Sequence, residues 1–169
     1  MMSGNDLLST LSELFRGSVA GQGEAMFKNI AVAYDESPEA GRALTAAIRL
    51  ATALHAGLQT ITVVEELPAY TAYGVAADPG ILRTLGDDRS RFYEQLQNTA
   101  REKALAEGVR IETHLLDGER VDAIVHFVNV HEIDLLIIGL HRRSLVVSRL
   151  WSTVYTLAQD VPCSVLGVH

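Results

Sequence analysis

The sequence predicts an α/β protein, a five-stranded parallel doubly wound sheet with helices on both faces, preceded by a short N-terminal helical extension. Three observations carry this reading. From Met26 to His169, short β-rich apolar runs alternate with longer segments of helical period in the order βαβαβαβαβ. The run Asp134–Gly139 (DLLIIG) is so uniformly apolar that it needs cover on both faces, which places it centrally in a parallel sheet. Right-handed crossovers between parallel strands then limit the topology to doubly wound forms.

Residues 1–25 stand apart. Gly4, Gly17, Gly21 and Gly23 bracket a segment in which Leu7, Leu8, Leu11, Leu14 and Phe15 recur at helical spacing, so a short amphipathic helix on a flexible tether is expected. A leucine face this short does not hold a helix alone in water. It either lies on its own domain or docks a protein partner, and removing it is expected to leave the domain at 26–169 folded.

The first strand is read at Phe27–Ala33. Ser37-Pro38-Glu39 then offers an N-cap serine followed by proline at the first helical position. Ala40, Leu44, Ala47, Ile48, Ala51 and Leu54 form one helical face, and Gly57 is read as a left-handed stop. Leu58–Val64 is the second strand. Glu65–Asp88, with Pro68, Gly74, Pro79 and Gly80, reads as a long surface excursion. A polar helix is expected from about Ser90 to Glu107, then an edge strand at Val109–Leu116 and a turn at Asp117-Gly118. Val121, Ile124, Val125 and Val128 line the next helix ahead of the central strand. A helix at about Ser152–Gln159 leads through Val161-Pro162 into a last strand, Cys163–Val168.

Composition narrows the function. Fourteen basic against twenty-one acidic side chains give a formal charge of -7 with no dense cationic run, which argues against a nucleic-acid partner. No apolar stretch approaches the roughly 20 residues of a membrane span, and no secretory signal opens the chain. Cys163 is the single cysteine, so no intrachain disulfide can form, and a reducing cytoplasm is the expected setting. Six scattered histidines lack the HxxxH or HExxH spacing of a metal site, and the GxSxG elbow and GxxxxGK[ST] phosphate loop are absent. No catalytic machinery is visible.

In a doubly wound sheet the ligand site lies outside the carboxyl ends of the strands where strand order reverses. Those ends are Ala33-Tyr34-Asp35 and Ile138-Gly139. Asp35 can accept hydrogen bonds from a ligand or from the backbone amides of its own turn. The segment Gly139–Thr153 combines a strand-end glycine, Arg142, Arg143, Arg149 and several hydroxyl residues, the parts of an anion cradle. Alternatively Ser152 caps its own helix and the arginines solvate a loop.

Lys28-Asn-Ile-Ala-Val-Ala-Tyr-Asp-Glu-Ser-Pro-Glu-Ala40, Val63-Val64, Asp134–Gly139 and Pro162-Cys-Ser-Val-Leu166, in this order and spacing, resemble the universal stress protein family over Met26–His169. The resemblance implies that family's adenine-nucleotide-hydrolase-like sheet and a homodimer formed through the last strand. It also implies an adenine-nucleotide pocket with Ala33, Asp35 and Val63 around base and ribose, and Ile138, Gly139, Ser152, Thr153 and Val154 near the phosphates. The family's nucleotide-binding branch carries glycine, two residues, glycine, nine residues, then glycine and Ser or Thr. Laid on this chain from Gly139, the second and third glycines fall on Arg142 and Ser152, and only the hydroxyl position survives as Thr153. Those glycines let backbone amides approach a triphosphate without a Cβ in the way. The chain therefore looks more like the branch lacking the full motif: a regulatory, non-catalytic protein with a modified nucleotide site, empty or holding an altered ligand. Arg142 would then be a phosphate ligand that replaced a glycine. The alternative is an adenine-nucleotide sensor using the Asp35 to Thr153 crevice.

The last strand adds its own indication. It ends the sheet at an edge, and no proline or lysine interrupts Ser164–His169 to discourage a partner strand.

Overall fold

The computed structural model describes residues 26–64, 79–140 and 148–169. Its elements are β1 (Asn29–Ala33), α1 (Pro38–Leu54), β2 (Gly57–Val64), α2 (Pro79–Ala106), β3 (Ile111–Asp117), α3 (Arg120–Val130), β4 (Leu135–Gly139), α4 (Ser148–Asp160) and β5 (Ser164–Val168). All strand pairs are parallel, in the order β3-β2-β1-β4-β5. The expected α/β class, the five strands and the two edges are all present; the strand expected to be central, β4, is interior and lies between the middle strand β1 and the edge strand β5.

Strand side chains alternate between faces, so each central strand contributes to two cores. On the first face Ile30, Val32 and Tyr34, with Leu58, Leu135 and Ile137, pack under α1 and α2. On the second face Ala31, Ile61, Leu136 and Ile138 pack under α3 and α4. In β4 the four residues Leu135–Ile138 are buried, as continuous apolar character requires of a strand covered on both sides.

Local chemistry sets the element ends. The Ser37 hydroxyl accepts from the Ala40 N–H at 3.1 Å and Pro38 occupies the first turn of α1, as read from the sequence. The helix stops differently from expectation: His55, not Gly57, takes the left-handed conformation (φ 54°), and Gly57 opens β2. At the amino end of the sheet, the Asp134 carboxylate accepts from the backbone N–H of Lys28 (2.6 Å) and Asn29 (3.1 Å), clasping β1 to β4 where both strands begin. Asp134 thus precedes β4 rather than belonging to it.

Other boundaries differ from the sequence reading: β1 begins at Asn29 rather than Phe27, and β3 runs Ile111–Asp117 rather than Val109–Leu116. The helix α2 starts at Pro79, inside the span read as an excursion, because Pro79-Gly80 opens a helix rather than breaking one. The rest of that excursion, 65–78, lies outside the described residues, as do residues 1–25 with their expected amphipathic helix. The helix α4 starts at Ser148, four residues early, since Arg149, Leu150 and Trp151 contain no breaker. Ser152 is therefore not the cap of its own helix. Cys163 lies just before β5 and is half-buried. Among the described residues no helix is long and apolar enough to cross a membrane.

Candidate functional site

The order β3-β2-β1-β4-β5 reverses direction between β1 and β4, so the crevice opens where Ala33 and Ile138-Gly139 end their strands. Pairing of Val32 with Ile137 brings these two ends together across residues more than 100 apart in sequence.

The sequence-read residues separate by face. Ala33, Val63 and Val154 are partly buried against the second-face core, of which Ile138 is a buried member. Alternation explains the first two and Ile138: each is the strand-end residue whose side chain points toward α3 and α4. Gly139 is at the end of β4, and its first-face side is closed. A Cβ there would lie 2.5 Å from the Glu39 carbonyl carbon and 2.7 Å from the Ala40 nitrogen. The first turn of α1 thus rests directly on the backbone of β4, which only glycine permits. A ligand at the switch point must enter from the second face.

Asp35 sits exposed in the β1–α1 turn, and its Oδ1 accepts from the Ser37 N–H at 3.0 Å. The turn-holding role is therefore real, and it occupies one carboxylate oxygen. Arg142 lies outside the described residues. Ser152 and Thr153 fall in α4 as its fifth and sixth residues, with their side chains outside the described set. Backbone amides there are past the helix's first turn and bond to carbonyls four residues earlier, so a phosphate role would fall to their hydroxyls.

One positioning residue escaped the sequence reading. The buried Thr62 hydroxyl donates to the Tyr34 carbonyl at 2.7 Å, and the Tyr34 N–H donates to the Ile61 carbonyl at 2.8 Å. Together they fix the exit of β1 and hence the direction in which Asp35 leaves the sheet. A threonine within the apolar run Ile61-Thr-Val-Val64 was the available signal. The Tyr34 phenol is held above its ordinary pKa, first by burial and then by the Asp35 charge, so it remains a neutral donor.

Cys163 precedes β5 at the amino end of the sheet, away from the crevice, and burial raises its thiol pKa against weaker lowering by backbone hydrogen bonds, so the thiolate is scarce. Among the described residues no three His, Cys, Asp or Glu side chains stand close enough to hold a metal ion. Among the described residues, Ala33, Val63 and Ile138 form an apolar wall at the strand ends, and the Asp35 carboxylate follows β1 beside it.

The sequence profile of the Universal stress protein family matches residues 26–169. The chain belongs to the universal stress protein family. Solved structures of the family resemble it throughout. A family protein from Burkholderia pseudomallei is 26% identical, with 85% of this chain and 97% of that chain covered and a TM-score of 0.62. A universal stress protein in complex with cAMP is likewise 26% identical over 85% of this chain and 97% of its own, with a TM-score of 0.60. The family's fold also recurs in the Archaeoglobus fulgidus protein in complex with dAMP, 20% identical, covering 85% and 99%, with a TM-score of 0.59. No curated protein matches the chain.

Proposed function

We propose that this universal stress protein is a regulatory, non-catalytic cytoplasmic homodimer whose second-face crevice is a modified nucleotide site that does not seat ATP in the usual way. The observation that carries this is the pairing of Arg142 and Ser152 with the glycine positions of the nucleotide-binding branch, joined to α4 starting at Ser148. With Ser152 in the second turn of the helix, its amide is not available to cradle a triphosphate.

A second reading is favoured by the apolar wall of Ala33, Val63 and Ile138 and by relatives crystallised with cAMP and dAMP. In it an adenine nucleotide lies among Ala33, Val63 and Ile138, its ribose hydroxyls toward the second oxygen of Asp35, its phosphate near Gly139, Thr153 and Val154. Calorimetric titration with ATP and AMP decides between the two. Weak or no ATP binding supports the first, and AMP binding alone selects a mononucleotide sensor. Micromolar ATP affinity that Arg142→Gly leaves unchanged would overturn the steric reading.

The dimer is proposed to form through β5. Among the described residues that strand pairs only with β4, and Leu166 is 38% exposed on it. Val165→Lys with Val168→Pro adds a charge and removes a ladder donor, and light scattering should report a shift from dimer to monomer. Residues 1–25 are proposed as a separate extension whose deletion changes assembly or a partner contact but not the fold.

A further inference from the structure

A groove of about 700 Å³ runs along the first face between α1 and α2. It differs from the proposed second-face nucleotide crevice: the first turn of α1, packed against Gly139, stands between the two, and Asp35 borders both. Tyr34 and Leu96, both nearly buried, line it from below.

Three cations converge on it. Arg42 and Arg49 are seven residues apart on one side of α1, about 10 Å along the axis. Lys103 reaches across from α2, its Nζ 4.0 Å from where a Gly41 Cβ would stand. Arg42 is shared with Glu39 at 3.0 Å. Among the described residues Arg49 and Lys103 have no carboxylate within 4 Å. Two such cations in one groove run against the overall field of a chain of formal charge -7. Of the hydroxyls that line the groove, Thr45 donates to the Gly41 carbonyl and Thr99 to the Gln95 carbonyl. The charged donors available to a ligand are the cations. Asp35 and Glu36 line the end nearest β1 and repel an anion there, so an anion is drawn along α1 from the Lys103 ammonium beside Gly41 toward Arg49.

We propose that this groove is a second ligand site, taking a small organic polyphosphate. A single phosphate cannot reach cations spread over about 10 Å of helix, whereas a chain of two or three phosphoryl groups can bridge them. A guanidinium and an ammonium on opposite walls suit charge-assisted bonds to such a chain.

The test is titration of the full-length protein with tripolyphosphate at low salt, followed by amide NMR shifts and calorimetry. Saturable one-site binding is expected, with shifts confined to residues 41–49 of α1 and 96–103 of α2. The Arg49→Gln/Lys103→Gln variant, altered at exposed positions, should bind at least tenfold more weakly. Gly41→Glu, which sets a carboxylate beside the Lys103 ammonium, should do the same without removing any cation. Absence of saturable binding at millimolar tripolyphosphate would overturn the proposal. So would shifts centred on Ala33 and Ile138, or affinity unchanged in both variants. Equal affinity for a polyglutamate peptide would also overturn it, pointing to an acidic protein partner instead. AMP titration of the same variants reads the second-face crevice separately, so failure of one site leaves the other standing.

Discussion

The two faces of the sheet are filled by opposite means. Under α1 and α2 the buried helix residues are mostly alanines, Ala40, Ala43, Ala47, Ala51, Ala100 and Ala104, and the closest approach is backbone on backbone at Gly139. Under α3 and α4 the space is taken by Ile124, Phe127, Val128 and Leu157. Small residues bring α1 down onto the strands, and large ones hold α3 and α4 further off. One face should therefore tolerate loss of atoms poorly, and the other their addition. The difference also shapes the switch point: close packing at Gly139 closes its first-face side.

Three substitutions and one titration test this contrast, beginning with the largest effect. Phe127→Ala deletes a ring that is 3% exposed and should cost about 4 kcal/mol in urea unfolding. On the alanine-rich face, Gly139→Ala and Ala47→Leu should each cost about 2–3 kcal/mol, the first because its Cβ would meet the Glu39 carbonyl at 2.6 Å. A Gly139→Ala protein as stable as the parent would show that α1 can lift off β4, and would break the contrast. A small loss in Phe127→Ala would do so from the other side.

The smallest effect is pH-dependent and belongs to the second face. His114 of β3 lies 4.8 Å from the Phe127 ring and 5.2 Å from His131, which stacks on Phe127 at 3.9 Å. Its Nε2 is buried without a hydrogen-bond partner, and Glu112 is too far at 3.7 Å to supply one. Burial first, then repulsion by His131, lower the His114 pKa, with Glu112 opposing. Below the ordinary value of 6.5 the unfolded chain binds more protons at this site than the folded one. His114 therefore contributes stability that is present above pH 6.5 and lost as pH falls through the lowered folded value. Melting temperatures between pH 7.5 and 5 should fall less steeply in His114→Phe than in the parent, and equal slopes would refute this.

Much was already legible from residue order. Alternating apolar periods specified the parallel sheet, and Asp134–Gly139 marked a strand of its interior, because both depend on patterns within a few residues. Ser37-Pro38 announced the start of α1 for the same reason. Even the adjacency of the carboxyl ends of β1 and β4 followed, since strand order and crossover hand leave few choices.

What tertiary structure alone decided were matters of contact between distant segments. Asp134 reads as a strand residue until the amides of Lys28 and Asn29, more than 100 positions away, appear beside its carboxylate. Gly139 reads as part of a phosphate loop, and the fold gives it a second reason to be glycine, the backbone of Glu39 and Ala40. The start of α4 at Ser148 removed Ser152 from its cap: local propensity allows a start at either residue, and the structure takes the earlier one. Arg42, Arg49 and Lys103 look like scattered solvated charges along the chain. They share a groove only because α1 and α2 pack side by side on one face, and no local periodicity records which helices become neighbours.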